Sequence, residues 1–251
     1  MPDRIQRQRF ENKYQIDEDT ALKIRDYLSG YLTLDKFGAT QPNYSYRVHS
    51  IYLDSPDFRT YKNTINGDRN RFKLRFRFYE DGDDNPFYAE IKRRFDKVIY
   101  KKRASLYRNA LPVILNGHFP DKTHFTEPDE FYFESAEQFC RYVNHLQARP
   151  VAHVRYDREA WVTNDGHNKV RVTIDRNVYS EYYTKQYLTT KLNNPVSVFG
   201  NKRVLELKFT DRFPNWYRDL VQQFSLRQGS SAKYVDGIYN MGEAGILTHY
   251  I

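Results

Sequence analysis

The sequence predicts an α+β fold in which a mainly antiparallel sheet forms the body of the protein. Segments rich in β-branched and aromatic residues recur along the chain, with Gly, Asp, Asn or Pro between them. Helical spacing of apolar residues is confined to a few segments. Many strands combined with few helices indicate a sheet that is flanked by helices.

Three segments have the spacing of amphipathic helices. Asp17 is a candidate N-cap for a helix through TALKIRDYLSGYL, with Gly30 near its end. The spacing predicts a second helix over Phe131 to Leu146 and a third after Pro214. The only cysteine, Cys140, falls in the second helix, where its neighbours predict a buried thiol with a structural role.

The other regular segments are predicted strands. In chain order they are RFENKYQI, HSIYLDS, RFKLRFRFYE, FYAEIKRR, VIYKKRASL, VAHVRYDREAWV, KVRVTID and RVLELKF. No repeat or linker-like tract interrupts them, so we expect a single domain over residues 1–251.

Composition restricts the class of protein. With 39% hydrophobic residues, 22 Tyr and 17 Phe, the chain can bury a core and is not of a disordered type. A net charge of +8 favours an anionic partner such as a nucleotide, polyphosphate, nucleic acid or acidic membrane. No stretch resembles a signal peptide or approaches the ~18 apolar residues of a membrane span. We therefore expect a soluble, cytoplasmic protein.

One predicted strand has a purely cationic face. In FKLRFRF, Lys73, Arg75 and Arg77 share one parity and the Phe and Leu residues the other. Same-face neighbours lie about 7 Å apart along a strand, so the three cations repel unless solvent, carboxylates or a bound anion offsets their charge. A solvated outer face would explain one such strand, but the pattern recurs.

The other charged rows combine cations with carboxylates. They comprise Arg9, Glu11 and Lys13; Glu90 and Lys92; Arg171, Thr173 and Asp175; and Glu206 and Lys208. If the strands curl so that these faces converge, the result is a barrel with a basic lumen suited to phosphates, because Arg binds phosphate bidentately and Lys acts as a point charge. A glutamate repels phosphate, but it could hold Mg²⁺ or Mn²⁺.

The ordered set of motifs resembles the catalytic domain of the vacuolar transporter chaperone (VTC) complex, which belongs to the triphosphate tunnel metalloenzymes. The motifs are RFENKY, LRFRFYE, FYAEIKRR, YKKRASL, RPVAHVRYDREAWV, VRVTIDRNV, VLELKF and SAKY. The resemblance implies an antiparallel eight-stranded β-barrel tunnel with flanking helices. It also implies an ATP-dependent, metal-dependent transfer of the γ-phosphate to a growing polyphosphate chain.

The resemblance, together with the charged rows, assigns roles to individual residues. Catalytic roles are expected for Lys13, Arg75, Arg77, Lys92, Arg158 and Arg171. Substrate binding is expected for Arg9, Lys73, Lys101, Arg103, Lys208 and Lys233. Metal binding, to Mn²⁺ or Mg²⁺, is expected for Glu206, Glu11 and Glu90. Lys102 would replace Lys101 if the strand register shifted by one residue. Ser230 stands where eukaryotic members often carry a second lysine.

Other functions stay open at this point. If water reaches the terminal phosphate, the same residues would form a triphosphatase or polyphosphatase. A non-catalytic binder of polyanions, including RNA, is a further alternative, although such a binder gains nothing from the glutamates. The chain has no G-x-x-x-x-G-K-[ST] loop and no H-E-x-x-H motif. We expect ATP and polyphosphate as ligands and no nucleic acid; a regulatory or membrane-bound partner subunit is undetermined.

Two aromatic residues and one histidine lie close to the charged rows. Tyr52 and Tyr156 are candidates to face an adenine ring, and His49 is interpreted as a structural residue.

Overall fold

The computed structural model describes residues 10–96, 98–163, 168–210 and 212–242, so Arg9 lies outside the described residues. The strands in these ranges are β1 (Phe10–Ile16), β2 (Thr33–Leu34), β3 (Ser45–Asp54), β4 (Asn70–Phe78), β5 (Phe87–Phe95), β6 (Val98–Leu106), β7 (Arg149–Val162), β8 (Arg171–Tyr182), β9 (Val196–Ser197) and β10 (Arg203–Phe209). The helices are α1 (Glu18–Ser29), α2 (Arg59–Ile65), α3 (Ala110–Leu115), α4 (Glu130–Leu146), α5 (Asn215–Gln223) and α6 (Lys233–Met241).

The eight long strands pair in the order β1-β10-β8-β7-β3-β4-β5-β6, which leaves β1 and β6 as the two ends of the pairing order. The short strands β2 and β9 pair with β7 and β8. Register is antiparallel between β1 and β10, β10 and β8, β3 and β4, β4 and β5, and β5 and β6. Each predicted strand corresponds to one of the long strands, so the α+β class, the antiparallel sheet and the flanking helices are confirmed.

The three predicted helices are present as α1, α4 and α5. Asp17 caps α1 by accepting a hydrogen bond from the backbone N–H of Thr20 at 2.8 Å, and Gly30 is the C-cap. The sequence analysis missed α2, α3 and α6, which are short. Helix α2 has an atypical start, because its N-cap residue Phe58 is in the left-handed conformation with φ 56° and forms no side-chain cap hydrogen bond.

Residue contacts divide the chain into two compact units. The first, called unit 1, comprises Met1–Arg47, Tyr156–Val178 and Ser197–Ala232. The second, called unit 2, comprises Val48–Arg155, Tyr179–Val196 and Lys233–Ile251. The organisation of the chain as a single domain over 1–251 stays a prediction.

Unit 1 has a core between helices α1 and α5 and the apolar faces of its strands. Ile24 and Leu28 from α1, Leu220 from α5, and Leu205 and Leu207 from β10 are all fully buried. Because side chains alternate along a strand, burial of Leu205 and Leu207 places Glu206, which lies between them, on the opposite face.

An ion-pair network also fixes α1 to the strands of unit 1. The Glu159 carboxylate is fully buried and accepts hydrogen bonds from Arg25 at 2.8 and 3.0 Å, from Arg176 at 2.8 Å and from the Trp161 indole at 2.8 Å. Glu18 accepts a further bond from Arg176 at 2.8 Å. Charge-assisted hydrogen bonds of this kind satisfy a buried carboxylate that would otherwise be strongly destabilising.

Unit 2 has a core in which α4 covers the apolar face of β4, β5 and β6. Leu74 and Phe76 of β4 are fully buried together with Phe139 and Cys140 of α4. Burial raises the pKa of the Cys140 thiol to about 12, as expected for a cysteine with a structural role. In the described part of the chain, no helix is both long enough and apolar enough to cross a bilayer.

Candidate functional site

Strands β4, β5 and β6 align their basic residues into rows across the sheet of unit 2. Lys73 is paired with Lys92, and Lys92 is paired with Lys101. We call this row the lysine rung. Because directly opposite residues share a face of the sheet, these three ammonium groups project from one side of it.

The next row of unit 2 contains a carboxylate. Arg75 is paired with Glu90, and Glu90 is paired with Arg103. Glu90 is 1% exposed, and its Oε2 accepts hydrogen bonds from Arg75 Nε at 2.7 Å and lies 2.6 Å from Arg75 Nη2. Arg77 Nε lies 3.6 Å from Oε2, and Lys101 Nζ lies 2.5 Å from Oε1. A single buried carboxylate therefore holds three of the predicted phosphate-binding cations together.

The close approach of these charges shifts the pKa values of Glu90 and Lys101. Burial would raise the pKa of Glu90, but Arg77, Lys101 and Arg75 hold it well below its usual value. Burial lowers the pKa of Lys101 to about 7; the attraction of Glu90 opposes this shift, and the repulsion from Arg77 and Arg75 adds to it. Lys101 is therefore the cation of this group whose charge is most sensitive to pH near neutrality.

The register settles which of two neighbouring lysines belongs to the charged face. Lys102 is paired with Ile91, which is buried in the core face. Lys102 also lines a cavity of about 370 Å³ with Gln138 and Tyr142 of α4. Lys101, not Lys102, therefore lies on the face that carries Glu90.

Unit 1 carries equivalent rows on β1, β10 and β8. Lys13 is paired with Glu206, which is paired with Thr173. Glu11, Lys208 and Arg171 form the adjacent row. The predicted parity of these strands is therefore correct at each of these positions.

Glu206 is the central carboxylate of unit 1. Its Oε2 accepts a hydrogen bond from Lys208 Nζ at 2.5 Å and lies 3.7 Å from Arg158 Nη2. Its Oε1 lies 3.3 Å from Lys13 Nζ, and Lys13 Nζ also lies 3.3 Å from Glu11 Oε1. Burial lowers the pKa of Lys208 to about 8, and the charge of Glu206 opposes that shift.

Two predicted phosphate-binding arginines of unit 1 have carboxylate partners that the sequence analysis did not assign as partners. Arg158 is 8% exposed and is bound by Asp175. Arg171 Nη2 donates to Asp35 Oδ2 at 2.8 Å and to the Tyr46 hydroxyl at 3.2 Å. Asp35 lies 136 positions from Arg171 in the chain, so no local sequence pattern could reveal this pair.

The structure places Lys233 at the start of a helix. It is the first residue of α6 and is 8% exposed. The next residue, Tyr234, is 1% exposed and stacks on Tyr52 with ring centroids 4.8 Å apart. The last two residues of the SAKY motif, Lys233 and Tyr234, therefore begin a packed helix of unit 2.

The aromatic residues offered as adenine contacts are covered by protein. Tyr52 is 6% exposed and lies between Tyr234 and the Arg75 guanidinium, and Tyr156 is 1% exposed beneath Arg158 at 5.0 Å. The adenine hypothesis is wrong for both rings. His49 is fully buried, as expected for a structural residue.

Unit 1 holds two carboxylates that contact the same ammonium group, which makes them candidate ligands for a divalent cation. Glu11 and Glu206 both lie 3.3 Å from Lys13 Nζ, so their oxygens could approach one cation together. Mg²⁺ is commonly held by one or two carboxylates together with substrate phosphates, and these two residues fit that requirement. Glu90 belongs to unit 2, and cations contact both of its oxygens, as they do those of Glu206. Among the described residues, no group of three or more His, Cys, Asp or Glu side chains could hold a metal.

An antiparallel sheet with one apolar face and one face of paired cations and carboxylates is the construction expected of a triphosphate tunnel domain. The family model of the VTC domain matches residues 8–241, and the chain belongs to this family. The resemblance found in the sequence is thereby confirmed.

Two solved structures illustrate how far the similarity extends. A putative adenylate cyclase from Bacillus halodurans is 11% identical, with 89% of this chain and 92% of that chain covered and a TM-score of 0.48. A putative adenylate cyclase from Vibrio parahaemolyticus is 10% identical, with coverage of 96% and 98% and a TM-score of 0.42. No curated protein sequence matches the chain.

Proposed function

We propose that this VTC domain is a metal-dependent polyphosphate polymerase that transfers the γ-phosphate of ATP to a polyphosphate chain. The observation that carries the proposal is the lysine rung of Lys73, Lys92 and Lys101. Like charges directly opposite each other destabilise a sheet; Glu90 offsets part of this repulsion at Lys101, and a bound oligophosphate would offset it along the whole rung.

The neighbouring arginines support the same choice of ligand. Arg75, Arg77 and Arg158 have side chains between 10% and 15% exposed, and buried carboxylates contact each of them. A fixed guanidinium binds phosphate oxygens with little further loss of conformational entropy. We assign Arg75, Arg77 and Lys92 of unit 2, and Lys13, Arg158 and Arg171 of unit 1, to the binding of phosphate oxygens.

Glu206 and Glu11 would hold the Mn²⁺ or Mg²⁺ ion, which when bound neutralises negative charge on the phosphate oxygens. Lys13 contacts Glu11 and Glu206, and Lys208 contacts Glu206. Their ammonium groups would therefore also neutralise negative charge on the phosphate oxygens. The role of Glu90 in this proposal is to hold Arg75, Arg77 and Lys101 in place.

The proposed reaction needs no side-chain nucleophile. A terminal oxygen of the polyphosphate forms a bond to the γ-phosphorus of ATP, while the bond from that phosphorus to the β–γ bridging oxygen breaks. ADP leaves with the bonding electron pair. Enzymes accelerate such transfers mainly by positioning the reactants and stabilising charge, which basic side chains can do. ATP and polyphosphate are therefore the proposed partners, and a cytoplasmic location would supply ATP.

The first experiment is to incubate the pure protein with ATP and Mn²⁺ and to analyse the products by phosphorus NMR and a polyphosphate gel. Long chains together with ADP would support the polymerase. ADP with only orthophosphate or short free polyphosphates would replace it by a tunnel-type triphosphatase. Tight polyphosphate binding without turnover would favour a non-catalytic binding module.

A matched pair of variants connects the products to the charged face. Lys92→Ala removes the central member of the lysine rung, whereas Arg93→Ala removes the next residue, which belongs to the other face of β5. We expect loss of turnover in the first variant only. Equal turnover in both variants would contradict the assignment of this face.

A further inference from the structure

We propose that Tyr52, Tyr234 and Asp54 form a buried positioning group that sets the orientation of Arg75. This inference rests on the proposed function, because the role of Arg75 in binding phosphate is part of that proposal. All of these residues belong to unit 2. None of the three was assigned a role by the charged rows of the sequence.

Asp54 anchors this group of three residues. It is 1% exposed, and its Oδ1 accepts hydrogen bonds from the backbone N–H groups of Ser55 at 2.8 Å and Thr60 at 2.9 Å. Its Oδ2 accepts from the Thr60 hydroxyl at 2.8 Å, the Tyr61 N–H at 3.0 Å and the Tyr234 hydroxyl at 2.6 Å. The carboxylate therefore fixes the start of α2 and the first turn of α6 together.

Tyr234 connects Asp54 to Tyr52. The two rings stack at 4.8 Å between centroids with an interplanar angle of 17°. Burial raises the pKa of the Tyr234 hydroxyl well above its usual value, and the charge of Asp54 raises it further, so the hydroxyl stays protonated and donates. A phenylalanine at position 234 would keep the stacking but lose the bond to Asp54.

Tyr52 connects the stack to the arginine. Its hydroxyl accepts a hydrogen bond from Arg75 Nη1 at 3.2 Å, while Glu90 binds Nε and Nη2 of the same guanidinium. The Lys73 ammonium lies 5.9 Å from the centroid of the Tyr234 ring, within the range of a cation–π interaction. Bonds on two edges restrict the rotation of the guanidinium, so less entropy is lost when it binds a phosphate.

The geometry argues for a role beyond core packing. A buried phenolic hydroxyl that only filled space would be replaceable by the hydrogen of phenylalanine. Here each hydroxyl has a charged partner, Arg75 for Tyr52 and Asp54 for Tyr234. The two tyrosines thus connect the fixed Asp54 carboxylate to Arg75, a cation of the predicted phosphate-binding row.

The test compares conservative variants by calorimetric titration with a polyphosphate of defined length. Tyr52→Phe should weaken binding about three- to tenfold, the usual effect of losing one hydrogen bond. Tyr234→Phe should have a smaller effect of the same sign. Tyr217→Phe is the control, because Tyr217 is fully buried in the core of unit 1, whereas Arg75 belongs to unit 2. Unchanged affinity in Tyr52→Phe would overturn the proposal.

A double-mutant cycle distinguishes positioning from general destabilisation. If Tyr52 acts through Arg75, then Tyr52→Phe should have no further effect on affinity in an Arg75→Ala protein. Fully additive losses in affinity would overturn the proposal. Thermal unfolding of each variant, measured in parallel, identifies any loss that arises from instability.

A ligand-free measurement separates this proposal from the proposed function. In nitrogen-15 NMR spectra, the guanidinium protons of Arg75 should exchange with water faster in Tyr52→Phe than in Tyr217→Phe. If the wild-type protein bound no polyphosphate, the proposed function would fail, yet faster exchange would still uphold the positioning of Arg75. Identical exchange in the two variants would overturn the positioning role whether or not polyphosphate binds.

Discussion

Arg158 and Asp175 form a bidentate ion pair, in which Arg158 Nε donates to Oδ1 and Nη2 donates to Oδ2, both at 2.7 Å. Asp175 is fully buried, and Arg158 is 8% exposed. Burial alone would lower the pKa of Arg158, but the charge of Asp175 holds it well above its usual value. The pair therefore keeps one predicted phosphate-binding arginine charged and in a single orientation.

Asp175→Asn should lower the free energy of unfolding by about 3–5 kcal/mol, because it leaves the buried Arg158 without its charged partner. Urea denaturation monitored by circular dichroism measures this change. The control is Asp157→Asn, which removes an ion pair with Arg47, whose side chain is 55% exposed. That variant should lose at most about 1 kcal/mol. Similar losses in the two variants would contradict the importance of the Arg158–Asp175 pair.

Glu206→Ala should abolish turnover while polyphosphate binding remains measurable. The reason is that Glu206 contacts Lys13, Lys208 and Arg158 and is the predicted metal ligand, whereas the cations themselves remain. Product analysis and calorimetric titration measure the two properties separately. Glu137→Ala is a suitable control, since Glu137 is half exposed and pairs with Arg141 on α4. Normal turnover in Glu206→Ala would remove the metal argument.

Arg75→Ala should weaken the binding of both ATP and polyphosphate by about 10- to 100-fold, the range expected for a charge-assisted hydrogen bond. Turnover should fall as well. Arg93→Ala, on the other face of the sheet, should leave both affinities within about a factor of two. If Arg75→Ala bound both ligands as the wild type does, Arg75 would have no part in phosphate binding.

Polyphosphate affinity should decrease as the pH rises from 6 to 8.5. Lys101, with its pKa lowered to about 7, is protonated and attracts phosphate at the lower pH and loses its charge at the higher pH. Lys101→Arg should show a shallower decrease, because a guanidinium stays charged throughout this range. Protonation of the polyphosphate also changes with pH, but it affects the wild type and the Lys101→Arg variant equally. Titrations with equal pH slopes would exclude Lys101 as the source.

The parity of the charged faces could be predicted because the alternation is strict and local. Arg75 and Arg77 fall between Leu74, Phe76 and Phe78, all fully buried, so the segment has a clear apolar side. The choice between Lys101 and Lys102 needed the pairing with β5, because both lie in a run of basic residues.

The features that could not be predicted from the sequence, helix α6 and the carboxylate partner of Arg171, depend on contacts between residues far apart in the chain. Tyr234 and Asp54 are 180 positions apart, and their bond is one of the contacts that hold the short helix α6, which contains Gly237 in its interior. The partnership of Arg171 with Asp35 is of the same kind. The spacing of apolar residues in one segment cannot reveal such pairs.

The burial of Cys140 makes the chain convenient for spectroscopic labelling. It is the only cysteine, it is fully buried in α4, and its thiol remains protonated at neutral pH. A maleimide dye would therefore react with cysteines introduced at exposed positions, and the native thiol could stay in place. Fluorophores attached in this way would follow phosphate binding as a change in distance or emission, without first removing a residue from the core of unit 2.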